Sequence, residues 1–154
     1  MINRIIINPK TLNFCFIVPD LQPTAGVQKI LGFSRGWHHW TSVRLGIRKE
    51  NDYCVLYFYA YLRGKRIVKR LCKVNVAESV RVRISLNANY ASVDCYANQT
   101  IIGTYTETGM PKFSFSPVGY LLMPYFETDE PENDRKPFEV IIFNVRVNGK
   151  AVGW

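Results

Sequence analysis

Histidine is nearly missing from this 154-residue chain: His38 and His39 are the only two, and they are adjacent. Neighbours on an extended backbone point to opposite faces, so the pair is a poor chelate for one metal. Cys15, Cys54, Cys72 and Cys95 have no CxxC spacing and no Cys/His ligand run, which argues against zinc. P-loop, G-x-G-x-x-G, G-x-S-x-G and H-E-x-x-H patterns are all absent, and with them the usual nucleotide-binding and hydrolase signatures. No cofactor and no metal are expected. Acids are scarce, 12 against 20 Lys and Arg, and five of them sit in the proline-flanked stretch Glu127–Asp134, which reads as an exposed loop. Asp94 has the parity of Tyr90 and Tyr96 and could line a groove, but no acidic partner is in view for a glycosidase pair. No internal repeat or low-complexity linker occurs, and helical periodicity is limited to a short turn near Gln22–Gln28. No apolar run could span a bilayer, and Met-Ile-Asn-Arg-Ile-Ile-Ile-Asn-Pro carries too short an apolar run for a signal peptide. The expectation is no membrane partner and a reducing cytoplasm, the host's if the chain is phage-encoded.

What is present is apolar and aromatic. Apolar residues make up 47% and aromatic residues 14%, enough for a hydrophobic core without metal or disulfide staples, and the length suits a single domain over 1–154. The cysteines mostly sit at apolar-face parity, as small buried hydrophobes. The net charge of +8 is unevenly placed: thirteen Lys and Arg against three acids fall between Lys29 and Arg83. That middle third is a candidate surface for an anionic partner, or simply a solvated one.

Strand signals dominate. Segments of alternating apolar and polar residues run over 4–8, 12–18, 29–34, 42–48, 53–63, 66–73, 79–86, 91–97, 100–106, 112–116, 119–126 and 138–147. Asn-Pro, Pro-Asp, Arg-Gly-Lys, Asn-Ala-Asn, Ala-Asn-Gln and Val-Asn-Gly turns separate them. The run 138–147 is apolar at most positions, as a strand near a sheet centre would be. This spacing predicts an all-β, two-sheet antiparallel sandwich of jelly-roll type.

Two segments carry recognition chemistry. In Tyr53–Arg63 the period of two places Cys54, Leu56, Phe58, Ala60 and Leu62 on one apolar face, and Tyr57, Tyr59, Tyr61 and Arg63 on the other. Flat rings with hydroxyl tips suit sugar rings, bases or a protein surface. In Gly32–Arg48, Trp37, Trp40, His38, His39, Arg35, Arg44 and Arg48 crowd into seventeen residues. Arginine forks take phosphate or carboxylate, and tryptophans stack on rings, or plug the end of a sandwich. The basic hairpin Arg63–Arg70 has charges at mixed parity, as a solvated edge strand has. Long nucleic acid would need charges along a groove, so it is disfavoured as a partner.

Val118-Gly-Tyr-Leu-Leu-Met-Pro-Tyr-Phe-Glu-Thr-Asp-Glu-Pro followed by Phe138-Glu-Val-Ile-Ile-Phe-Asn-Val resembles the closing strands of concanavalin A-like lectin/glucanase jelly rolls. Gly32–Arg48 followed by the Tyr-rich strand is similar to small bacterial and phage proteins of that fold. The resemblance implies a sheet that carries a ligand, often a glycan, on aromatic and polar side chains. The Glu-x-Asp-x-x-Glu run of the glucanases is missing here, so the resemblance implies no hydrolytic activity.

The leading expectation from sequence is a non-catalytic protein binding a small anionic, ring-bearing ligand: a nucleotide, cyclic nucleotide or acidic sugar. It would act as a sequestering antagonist of nucleotide signalling if phage-encoded. A carbohydrate-binding or virion-associated jelly roll is the alternative. A metal-independent phosphodiesterase using His38 and His39 is a second one, weakened because flanking residues rarely straddle a phosphate. A homo-oligomer that buries the tyrosine face is also compatible with the pattern.

Overall fold

The computed structural model describes residues 4–21, 25–35, 41–62, 65–108, 118–128 and 139–153. Its strands are β1 (Arg4–Ile7), β2 (Thr11–Ile17), β3 (Val27–Ser34), β4 (Thr41–Glu50), β5 (Tyr53–Leu62), β6 (Lys65–Val74), β7 (Val80–Leu86), β8 (Ala91–Ala97), β9 (Thr100–Glu107), β10 (Val118–Leu122), β11 (Tyr125–Glu127), β12 (Ile141–Val147) and β13 (Lys150–Ala151). Among the described residues there is no helix. One sheet runs β1-β10-β3-β4-β5-β6, with β11 continuing the free edge of β3; the other runs β13-β12-β2-β7-β8-β9. All pairings are antiparallel. The chain is a two-sheet antiparallel jelly-roll sandwich.

The alternation read from sequence sets the two layers. Leu12, Phe14 and Phe16 of β2, Val80, Val82 and Ile84 of β7, and Val93 and Cys95 of β8 face inward from one sheet. Val43, Leu45 and Ile47 of β4 and Cys54, Leu56, Phe58 and Ala60 of β5 meet them from the other. Phe58 packs on Tyr105 of β9 with centroids 5.2 Å apart, joining the layers. β6 is an edge strand with Lys65, Arg66, Lys69 and Arg70 exposed, a surface that discourages edge-to-edge pairing. No helix is long and apolar enough to cross a membrane among the described residues.

Three elements differ from the sequence expectation. The segment 119–126 divides into β10 and β11 at Met123-Pro124, because proline has no N–H to donate to a ladder. The run 138–147 begins its pairing at Ile141, and β12 lies one strand from the sheet edge rather than at its centre. Its apolar run reflects a bulge between Phe143 and Arg146, with Asn144 at φ 54°, which breaks the alternation of faces. Val27 and Gln28, placed in a short turn by sequence, open β3. The expected strand 112–116 lies outside the described residues.

Candidate functional site

The candidate site is the outer face of the seven-stranded sheet, away from the core. Cross-strand registers Ser42↔Tyr61, Arg44↔Tyr59, Gly46↔Tyr57 and Arg48↔Val55 set its rows on β4 and β5. On β6, Arg66 opposes Tyr61, Val68 opposes Tyr59 and Arg70 opposes Tyr57. On β3 and β11, Lys29 opposes both Gly46 and Tyr125. Arg44, Arg48, Tyr57, Tyr59 and Tyr61, read from separate segments, therefore share one face. Arg35 sits at the exposed end of β3, its N–H donating to Thr41 O at 2.8 Å. Trp37, His38, His39, Trp40 and Arg63 lie outside the described residues. The strand ends that flank them, Ser34, Thr41 and Leu62, are at the Tyr61 end of the sheet.

Five tyrosines of this face lie beside a cation. Lys73 Nζ is 4.8 Å from the Tyr53 centroid, Arg48 Cζ 5.7 Å from Tyr57 and Lys29 Nζ 3.8 Å from Tyr59. Arg66 Cζ is 6.0 Å from Tyr61, and Arg44 Cζ is 4.7 Å from Tyr125. Such contacts hold ring and charge together without using the N–H donors. Two carboxylates balance part of the charge. Glu50 accepts from the Tyr57 hydroxyl and from Arg70 Nε at 3.4 Å. Glu127 lies 3.9 Å from Lys29 Nζ. The Tyr57 hydrogen bond, then Arg70, holds the Glu50 carboxyl below its usual range.

The face divides into a covered floor and an accessible rim. Arg44 is 4% exposed and Tyr59 2%, whereas Tyr61 is 39% and Tyr125 45% exposed. The reason lies in β3. Between Lys29↔Gly46 and Gly32↔Arg44 it carries two residues, Ile30 and Leu31, against Leu45 alone. The neighbouring edge breaks at the same level, between β10 and β11. Arg44 fills this gap: its Nη2 donates to Ile30 O at 2.7 Å and to Met123 O at 2.9 Å. Among the described residues, Arg44 Nε and Tyr59 Oη are buried with no hydrogen-bond partner. Arg48 stands near enough to Tyr59 to pull its pKa down slightly, but burial dominates and pushes the phenol up. Burial likewise draws the Arg44 guanidinium down to about 10.

Lys29 makes this floor pH-sensitive. Burial lowers its ammonium from 10.5 to about 8, with Glu127 opposing and Arg44 and Arg66 reinforcing. Below pH 8 the amine is protonated in folded and unfolded chains alike. Above it the unfolded chain holds more protons, so stability climbs with pH until the unfolded amine also titrates. Tyr59 and Tyr125, raised by burial, oppose this only above pH 10. Urea denaturation from about pH 7.5 to about 9.5 is expected to show wild type gaining on Lys29→Met. Parallel curves would show that Lys29 does not titrate in this window.

Sequence parity missed Lys29, Tyr125 and Glu127 because the bulge and the β3–β11 pairing bring them in from afar. Arg66 and Arg70 could have been found by extending the β5 parity across the hairpin.

No protein-family model matches the sequence, and no curated protein matches it significantly. Solved structures do match in fold. The scytalido-glutamic peptidase, crystallised with a peptide-based transition-state analog, superposes with a TM-score of 0.59 at 12% identity, over 97% of this chain and 81% of that one. The heptameric SAP-like pentraxin of Limulus polyphemus gives 0.55 at 12% identity, over 99% and 69%. The Bacteroides ovatus protein designated xyloglucan PUL GH43B gives 0.52 at 15% identity, over 79% of this chain and 24% of its own. The chain thus spans about a quarter of that last protein. These likenesses show a two-sheet jelly-roll fold and carry no activity across.

Proposed function

We propose that this chain is a non-catalytic carbohydrate-binding module that takes a glycan on the outer face of its seven-stranded sheet. The observation that carries the reading is the pair Tyr61 and Tyr125, both more than a third exposed on strands of one face. A rigid, exposed ring is what a sugar face stacks on. The xyloglucan in the name of one structural neighbour accords with this reading. The arginines beside the rings, Arg48 and Arg66, favour an acidic sugar, whose carboxylate would take a guanidinium fork.

A second reading is favoured by the same cations: a small ring-bearing anion such as a nucleotide, sequestered rather than turned over. A thermal-shift panel of neutral oligosaccharides, uronate oligosaccharides and nucleotides separates the two. A ligand at a hundredfold excess over its Kd stabilises the fold by about 2.7 kcal/mol. The expected result is a shift with a sugar, shrinking with salt for a uronate and indifferent to salt for a neutral glycan. A shift with nucleotides alone would replace the carbohydrate reading. Cyclic nucleotide turnover lost in His38→Ala or His39→Ala would replace both.

A further inference from the structure

The opposite side of the sandwich carries an open hollow of about 430 Å³, lined by Ser79, Arg81, Tyr96, Asn98 and Gln99. That volume lies within the range of about 300–1,000 Å³ usual for small-ligand sites. Arg81 and Tyr96 oppose each other across the β7–β8 ladder, with the guanidinium carbon 4.4 Å from the ring centroid. The stack fixes the plane of the guanidinium while leaving its N–H fork unused. Among the described residues no carboxylate lies within ion-pairing distance of Arg81.

The turn beside this pair is costly for what it does in the fold. β8 passes into β9 through Asn98-Gln99, a two-residue hairpin with both residues left-handed, at φ 51° and 65°. This geometry favours glycine second, because a side chain there crowds the backbone. The chain makes the same turn between β12 and β13 and uses Asn148-Gly149, at φ 51° and 79°. Asn148 has a structural task there, its Oδ1 accepting the N–H groups of Lys10 and Thr11. Asn98 and Gln99 are exposed, and among the described residues neither side chain makes a hydrogen bond. Two exposed primary amides thus line the same hollow as the stacked arginine, at some expense to the turn.

We propose that this hollow is a second ligand site, for a small carboxylate-bearing sugar of the uronic-acid class. The Arg81 fork takes the carboxylate through two parallel N–H bonds. The Asn98 and Gln99 amides and the Ser79 hydroxyl take ring hydroxyls, and Tyr96 walls the cavity. The site uses no residue of the seven-stranded sheet and stands independently of the glycan reading for that face.

The test is a residue-resolved amide NMR titration with D-glucuronate, and with D-glucose as the neutral counterpart. Saturating glucuronate shifts are expected at Arg81, Tyr96, Asn98 and Gln99, read separately from any at Tyr61 and Tyr125 on the other sheet, and these four residues should respond little to glucose. Arg81→Met should abolish them. Gln99→Gly is the sharper variant: it should raise Tm by about 2 °C by relieving the turn while weakening glucuronate roughly threefold or more. The proposal is overturned by no saturable shift at these residues, by an equal response to glucose, or by a Gln99→Gly variant that binds like wild type. A Gln99→Gly protein no more stable than wild type would overturn it too, since the turn would then carry no strain.

Discussion

Gly32→Ala is expected to destabilise the protein by about 3 kcal/mol or more, or to prevent it from accumulating folded. A Cβ at this position would stand 2.2 Å from Arg44 Cβ, 2.3 Å from Val43 O and 2.5 Å from Arg44 Cα. Two of these belong to the backbone of β4 and the third is fixed to it, so relief requires opening the β3–β4 ladder itself. Gly46→Ala is the control. Its Cβ would meet a Tyr59 ring carbon at 2.7 Å and Val27 Cγ1 at 2.8 Å, both side-chain atoms rather than ladder backbone, so relief needs side chains to shift but not the ladder to open. That variant should lose only about 1–2 kcal/mol. Urea midpoints of the two variants provide the check, and equal losses would contradict the close approach at Gly32.

The second large effect concerns Arg44. Its removal would strip donors from Ile30 O and Met123 O at the place where β3 bulges and β10 gives way to β11. Removing this donor from the buried Ile30 carbonyl and the half-buried Met123 carbonyl costs about 1–3 kcal/mol each, so Arg44→Ala should lose about 3 kcal/mol. The corresponding fall in Tm is about 2–4 °C for each kcal/mol in a chain of this size. Arg44→Lys should recover only part, because an ammonium lacks the planar fork that spans both carbonyls. A variant as stable as wild type would show that the guanidinium is not what closes the gap. Arg44 thus shapes the face from beneath, and the ring of Tyr125 rests against it.

The alternation in β5 made much of this legible. Cys54, Leu56, Phe58 and Ala60 are fully buried in the core, and Tyr57, Tyr59 and Tyr61 stand on the other side of the sheet. A period of two fixes the side on which a residue stands, but not what covers it. Tyr59 and Tyr61 have the same parity, yet one is almost wholly covered and the other open. The difference comes from Lys29 on β3, packed over the Tyr59 ring. Its arrival depends on a bulge that no local pattern announces. Leu71 on β6 and Asn144 on β12 likewise sit where an irregular register interrupts the alternation. Cys95 behaved as its parity implied, a free thiol buried in the core. Cys72 shares the parity of Arg66 and Arg70 and is turned into the core only by the irregular register at Leu71. The Asn98-Gln99 turn was visible as a turn in the sequence. Its significance emerged only beside Asn148-Gly149, where the same geometry has its usual glycine.

The central claim is that exposed rings on a rigid sheet face, set among cations, hold a sugar. Isothermal titration of the best-binding oligosaccharide against wild type, Tyr61→Ala and Tyr125→Ala tests it most directly. Each ring removal is predicted to weaken binding about tenfold with Tm unchanged within a degree or two, because neither ring belongs to the core. Undiminished affinity in both variants would contradict the account and place the ligand elsewhere on the molecule.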